Sequence, residues 1–358
     1  MSLPTLRWAV LGTGFISTQF VQDICEEKAA PKANHIISVI GVSTTAKGEK
    51  FANEYVVNGQ AKPKILSYEE AITDKDVDIV YIGLPHTSHY EWTIKSLEAG
   101  KHVLCEKPLA VNRKQSLEMV ELARSKKLFL MEAVWTRFFP IILELQKLIH
   151  EDKIIGDLNR MVCDFSIDMG LDKLGPESRV KNPKYAGGAL LDIGVYTLTF
   201  WRLFLDDQFG RDTTKFEVKS FQTIENGIDV VSSAIIKHAD GKSAICINSF
   251  LNNSPKEMVR IDGEKGTVYI GGDRRLLSEP SWYKIEFKPE TGLAPIEKTV
   301  SKGAINGLIH EADACAKDIA EGKTESSICP LDETLLVMEV LDEIRAQNGL
   351  KFPEIKYE

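Results

Sequence analysis

The chain has 358 residues, 43% of them hydrophobic and 27% charged, with a formal net charge of −8 and a pI near 5.6. That length suits a large core split over two domains, while the acidic balance speaks against nucleic-acid and anionic-membrane partners. No stretch is apolar for long enough to cross a bilayer, and Met1 to Arg7 leads straight into strand-like residues with no signal-peptide core. Six cysteines (Cys25, Cys105, Cys163, Cys246, Cys315, Cys329) lie scattered without Cys-x-x-Cys or Cys/His spacing. They read as reduced, mostly buried thiols of a cytoplasmic protein, and no metal site is expected.

From Leu6 to about Met131 short apolar runs alternate with helical patterns. Trp8–Leu11 reads as a first strand, followed at once by Gly12-Thr13-Gly14 and then Ile16, Phe20, Val21 and Ile24 at helical spacing. Further strands are expected at Ile36–Val42, Ile65–Leu66, Asp78–Gly83, His102–Glu106 and Leu128–Met131. Helices are expected between them: one capped by Ser67 and Glu70, one from about Tyr90 to Gly100, and one from Asn112. This alternation specifies a doubly wound parallel sheet.

Gly12-Thr13-Gly14-Phe15-Ile16-Ser17 fits the dinucleotide fingerprint, with serine at the third glycine position. The two glycines permit a tight turn and close backbone approach to a pyrophosphate, which the helix N-terminus then stabilises. At the end of strand two, where an NAD-preferring fold places a carboxylate, stand Ser43, Thr44, Thr45 and Lys47, with no acid before Glu49. Hydroxyls and a lysine suit a ribose 2′-phosphate, so NADP is favoured over NAD; a solvated turn is the plainer alternative. Leu84, Pro85, His86 and His89 follow strand four on the same edge, and are read as cofactor contacts rather than metal ligands, with Ser88 as a helix cap. Strand five ends abruptly in Glu106-Lys107-Pro108, a lysine where open parallel sheets bind their ligands.

Beyond Glu132 the character changes. Trp135 and Arg137 lie just past the end of strand six and are placed either in the core or on the site. After Gly156 the rhythm is β-rich, with strands expected at Leu158–Met169, Phe216–Thr223, Val230–Lys237, Lys242–Phe250, Met258–Asp262 and Gly266–Ile270. Helices at about Asn306–Glu321 and Leu331–Gln347 close the chain. Gly187 and Gly188 open another helix, on which Asp192 and Tyr196, four apart, share a face. Arg179, just upstream, is read as a pocket residue or a surface charge.

Together, Gly12-Thr13-Gly14, Glu106-Lys107-Pro108 and the Gly-Gly-x-x-x-Asp-x-Gly-x-Tyr run ending at Tyr196 make the chain resemble the glucose–fructose oxidoreductase/inositol dehydrogenase (Gfo/Idh/MocA) family over nearly its whole length. Glu132-Ala133-x-Trp135-Thr136-Arg137-Phe138 and Leu191-Asp192-Ile193-Gly194-Val195-Tyr196 look like its dihydrodiol dehydrogenase and NADP-dependent D-xylose dehydrogenase branch. The resemblance implies an NAD(P)-binding Rossmann domain over residues 1–133, and an α+β domain over 134–358. The latter would carry an open, mainly antiparallel sheet for substrate binding and homodimerisation. It implies Lys107 and Tyr196 as the catalytic pair with Asp192 nearby, Trp135 and Arg137 toward the nicotinamide, and a Lys107–Pro108 bond whose isomer the sequence leaves open. Phe15 and Ile16 belong to the expected cofactor edge, Glu106 to that edge or to the structural frame, and Arg179 to the substrate side.

The chemistry agrees. Oxidising a carbinol needs a base for its hydroxyl proton. A phenol's reference pKa of about 10 is too high for that task at neutral pH, and a neighbouring ammonium lowers it. The expectation is therefore an NADP-dependent dehydrogenase oxidising a cyclic aldose of the D-xylose kind at C1 to a lactone. A trans-dihydrodiol dehydrogenase or carbonyl reductase is the alternative, and a non-catalytic NADP(H) sensor the reading from another class.

Overall fold

The computed structural model describes residues 3–26, 31–206, 215–300 and 306–353. They fall into two compact units: residues up to 110, 114–138 and 306–331 form the first, and 111–113, 139–300 and 332–353 the second.

The first unit is built from β1 (Thr5–Leu11), α1 (Phe15–Cys25), β2 (Asn34–Gly41), α2 (Thr45–Tyr55), β3 (Lys64–Leu66), α3 (Tyr68–Thr73), β4 (Ile79–Ile82), α4 (His86–Glu98), β5 (His102–Glu106), α5 (Arg113–Lys126) and β6 (Leu130–Ala133). Its six strands are parallel in the order β3-β2-β1-β4-β5-β6. The order reverses at β1, the switch point where such sheets bind ligands. Ile79, Val80, Tyr81 and Ile82 are all buried, as a parallel strand covered on both faces requires. Phe20 of α1 stacks on Tyr81 with ring centroids 3.9 Å apart, fixing the first helix to β4. Ser67 and Glu70 form the expected capping box at α3. The helix expected from Tyr90 instead starts at His86, directly after Pro85, and Ser88 lies in its first turn rather than capping it. The fixed φ of Pro85 and the Ser88 N–H bonded to its carbonyl (2.8 Å) begin the turn earlier than the apolar spacing suggests.

The second unit follows with α6 (Pro140–Gln146), β7 (Leu158–Ser166), α7 (Val195–Leu205), β8 (Phe216–Glu225), β9 (Ile228–His238), β10 (Ser243–Ser249), β11 (Val259–Gly263), β12 (Gly266–Gly271), β13 (Trp282–Phe287) and β14 (Ile296–Thr299). The chain then contributes α8 (Ile309–Ala320) to the first unit and ends with α9 (Leu331–Gln347). The eight-stranded sheet runs β14-β13-β12-β11-β7-β10-β9-β8. Among the described residues only β7 and β10 pair in parallel, so the sheet is mainly antiparallel, as expected. β13 and β14 were not anticipated. β13 alternates the buried Tyr283 and Ile285 with Lys284 and Glu286, and only β14, with Glu297 and Lys298, is the edge strand that carries little apolar signal.

α7 is apolar all round and every one of its residues is buried, so it is an interior helix despite its lipid-like composition. Arg202 is its internal anchor: it donates to both oxygens of Glu333 in α9 at 2.7 and 3.2 Å, a fork that satisfies both buried charges. The opposite face of the sheet keeps Phe221 (82% exposed) and Ile235 (53%) in the open beside Val162, Ile247 and Trp282. All six cysteines are buried thiols outside any disulfide.

Candidate active site

The residues singled out in the sequence fall into two groups, one in each unit. In the first unit β1 delivers the chain to Gly12, whose φ of +94° and amide bond to the Gly41 carbonyl (3.1 Å) make the tight turn. A Cβ at Gly12 would lie 2.8 Å from the Gly83 carbonyl oxygen, so no other residue fits there. Gly14 forms the start of α1, and a Cβ on it would meet nothing within 4 Å. Ser17 packs against β4, its Oγ donating to the Gly83 carbonyl at 3.4 Å, while Phe15 is exposed. Thr13 stands beside them and Ile16 is half-buried.

Ser43, Thr44, Thr45 and Lys47 are all exposed at the start of α2, which has no acidic residue in its first turn. Glu49 is turned to Lys62, whose Nζ lies 2.9 Å from its carboxylate. These residues suit a dinucleotide with a 2′-phosphate: a collar that tolerates no side chain at Gly12, open space before Gly14, a helix start presenting free N–H groups, and hydroxyls with a cation at the end of β2.

Leu84 and Pro85 are half-buried at the end of β4, and His86 is buried. His89 is wholly buried, with Nδ1 2.9 Å from the Pro108 carbonyl and Nε2 2.8 Å from the Leu84 carbonyl. It therefore ties the end of β4 to the loop after β5. That loop is pinned twice more: the Leu109 N–H donates to Glu132 at 3.0 Å, and the Cys105 thiol lies 3.7 Å from the Leu109 carbonyl. Lys107 is half-buried at the head of this loop and its bond to Pro108 is cis.

Glu106 points into the interior. It is 5% exposed, accepts the Tyr81 hydroxyl at 2.7 Å, and its other oxygen lies 3.3 Å from the Lys107 amide. Burial, and then Glu106 itself, push the Tyr81 phenol well above its ordinary range. Burial likewise raises the carboxyl of Glu311, which has no hydrogen-bond partner and feels the negative charge of Glu106. Trp135 and Arg137 are buried on a short 3₁₀ turn at Trp135–Phe138.

In the second unit the helix carrying α7 opens with a π-type turn at Leu190–Gly194 that contains Asp192. Asp192 is 7% exposed and accepts a hydrogen bond from Arg179 Nη1 at 3.2 Å. Tyr196, one turn on and 5% exposed, meets Phe165 of β7 edge-to-face with ring centroids 5.6 Å apart. Thr197 donates to the Gly194 carbonyl and to Asn248 Oδ1, both at 3.0 Å, which fastens the helix to β10. The second unit thus brings Arg179, Asp192 and Tyr196 together with Phe165 as a wall. Asn248 and Phe165 were not anticipated, because they act from strands distant in sequence. Glu132 was seen only as part of a motif; a glutamate in an apolar strand end was the signal that it serves the fold from inside.

Comparison with known proteins adds the following. Residues 6–134 match the family model described as oxidoreductase family, NAD-binding Rossmann fold, and residues 142–269 match the GFO/IDH/MocA C-terminal domain. The chain is 34% identical to the D-xylose 1-dehydrogenase (NADP(+)) of Hypocrea jecorina, the alignment covering 98% of this chain and 94% of that protein. It is 31% identical to the trans-1,2-dihydrobenzene-1,2-diol dehydrogenase of Homo sapiens, over 98% of this chain and 99% of that one. The solved aldose-aldose oxidoreductase from Caulobacter crescentus, complexed with glycerol, shares the fold with a TM-score of 0.79 at 23% identity, covering 96% of this chain and 98% of that one.

Proposed function

The chain belongs to the Gfo/Idh/MocA oxidoreductase family, and from that premise we propose that it is an NADP-dependent dehydrogenase of CH–OH donors, oxidising a cyclic aldose at C1 to the lactone. The observation that carries this reading is that one chain holds a dinucleotide collar closed to any side chain at Gly12 and a buried acid–phenol pair, Asp192 and Tyr196. The relative named as a xylose dehydrogenase favours the aldose, and the one named as a dihydrodiol dehydrogenase supports a trans-dihydrodiol as the second reading.

When bound, the nicotinamide supplies a hydride acceptor for the carbinol carbon. Gly12, Thr13 and Gly14 with the start of α1 receive the pyrophosphate, and Thr44, Thr45 and Lys47 the 2′-phosphate. Tyr196 takes the hydroxyl proton as phenolate. Lys107 is the fixed positive charge that lowers the cost of that phenolate and anchors the substrate hydroxyl. Asp192, braced by Arg179, accepts a hydrogen bond from a second hydroxyl, which orients the ring.

The sheet face carrying Phe221 and Ile235 is assigned to a homodimer, supported by apolar side chains this exposed on a wide open sheet. Six buried thiols outside any disulfide support a reducing, cytoplasmic setting. The test of the activity is a panel of aldoses, polyols and trans-dihydrodiols followed by reduced-nicotinamide absorbance with NADP and NAD. Turnover of pyranoses with NADP is expected. A response confined to dihydrodiols moves the assignment to the second reading, and tight NADP binding with no turnover at all removes both.

A further inference from the structure

The helix that carries Asp192 and Tyr196 begins at residues that have nothing to cap it with. Gly188 and Ala189 bear no polar side chain, and no side chain within the helix bonds its first amides. The need is met from another element. Asp229, near the start of β9 and 1% exposed, accepts the Leu190 N–H on Oδ2 at 2.7 Å. Its Oδ1 has no hydrogen-bond partner and stands 2.3 Å from where a Cβ on Gly188 would be. With a φ of +123°, Gly188 therefore both makes the turn and leaves the space that the carboxylate occupies.

We infer that Asp229 is a positioning residue of the substrate half of the site: its carboxylate caps the helix start and thereby fixes Asp192, two residues on, and Tyr196, one turn further. A buried carboxylate with one oxygen unbonded is an expensive cap, since Asn accepts the same hydrogen bond without a charge. Around it, β8 offers the apolar Ile224 opposite, the helix offers the Leu190 amide, and α9 offers Arg345, the charged side chain whose field draws the carboxyl back toward ionisation. Burial outweighs these and moves the Asp229 carboxyl from 3.8 to about 7. The sign follows from the raised value. The folded protein binds a proton that the unfolded chain has released, so this contribution to stability is complete below about pH 4 and is lost as pH rises through about 7.

The inference rests on reading Asp192 and Tyr196 as site residues, and its test separates the two. Asp229→Asn keeps the acceptor and removes the charge; Asp229→Ala removes both. On the full-length protein, Asp229→Ala is expected to lower kcat/KM roughly tenfold to a hundredfold, with NADPH affinity by fluorescence unchanged. Amide exchange over residues 188–196 should speed up in that variant. Asp229→Asn is expected to keep slow exchange and most of the turnover, and its melting temperature should gain on the wild type as pH rises through about 7. Equal damage from both variants, or none from Asp229→Ala, overturns the inference. If Asp229→Ala does not fold, faster amide exchange over residues 188–196 in Asp229→Asn, which keeps the acceptor, than in the wild type overturns it. Tyr196→Phe is the control: if that variant turns over normally, the underlying reading has failed, whereas an inactive Tyr196→Phe beside an unimpaired Asp229→Ala removes the capping role alone.

Discussion

In the first unit the cation of the proposed mechanism, Lys107, sits on a loop, whereas in the second the acid and phenol proposed with it sit inside a helix. Lys107 gains its fixed place from the backbone around it: His89 holds the Pro108 carbonyl, Glu132 holds the Leu109 amide, and Cys105 approaches the Leu109 carbonyl. Asp192 and Tyr196 need no such lacing, because the helix sets their spacing and is tied as a unit, at Asp229, at Asn248 and through the Arg202–Glu333 fork. A loop residue is therefore placed by several weak local pins, and a helical pair by a few pins at a distance. Damage should spread differently in the two cases.

The largest effect is expected at the phenol. Tyr196→Phe should cut kcat by about 10²–10⁴, the usual worth of a positioned general base, with cofactor affinity intact; stopped-flow absorbance and fluorescence titration check both. Lys107→Met should cost somewhat less and, on the proposed mechanism, move the rising limb of the pH–rate profile to higher pH, because the phenolate would lose the positive charge assigned to it. An unmoved limb would assign Lys107 to substrate anchoring only.

Next come the pins. Glu132→Ala leaves the buried Leu109 N–H without an acceptor and should cost about 1–3 kcal/mol of stability, lowering kcat through Lys107, while Glu132→Gln restores most of both. Urea denaturation measures the first and steady-state kinetics the second. Asn248→Ala removes one bond among several on the helix and should cost only about 1 kcal/mol, with kcat nearly unchanged. If it harms turnover as much as Glu132→Ala does, the contrast between loop and helix is wrong. The smallest effect belongs to cofactor choice: Lys47→Ala should shift the ratio of Michaelis constants toward NAD by roughly tenfold, one charge-assisted hydrogen bond.

The parallel sheet was legible because its strands are short apolar runs, buried on both faces and separated by helical spacing, with a glycine turn at the switch point. The glycine turn was legible where chemistry and local geometry coincide, at Gly12, and Lys107, Asp192 and Tyr196 are the candidates the sequence offers for the proposed site. What supports them was not. Asp229 and Asn248 sit in strands whose alternation accounts for them as ordinary polar residues, and only the packing of β9 and β10 under the helix gives them partners. For Glu106 the sequence left a cofactor-edge and a structural role open, and the buried Tyr81 hydroxyl beneath it supports the structural one.

The parallel pairing of β7 with β10 has a consequence for how substrate preference can change. A parallel neighbour cannot be reached by a hairpin, so the chain must cross over the sheet after β7, and that crossing contains the long segment of residues 167–188 followed by the helix. The helix is tied to β9 and β10, while residues 170–186 before it carry Arg179 and form no strand; the Gly188 N–H donates back to the Val180 carbonyl at 3.0 Å. Length and composition there can drift at little cost to the scaffold provided Arg179 and Val180 keep their places, since Arg179 braces Asp192 and the Val180 carbonyl accepts the Gly188 N–H. Residues 171–186 are accordingly the natural cassette for exchange: grafting them between relatives should transplant selectivity for the sugar while leaving proton transfer and folding to the parts that stay behind.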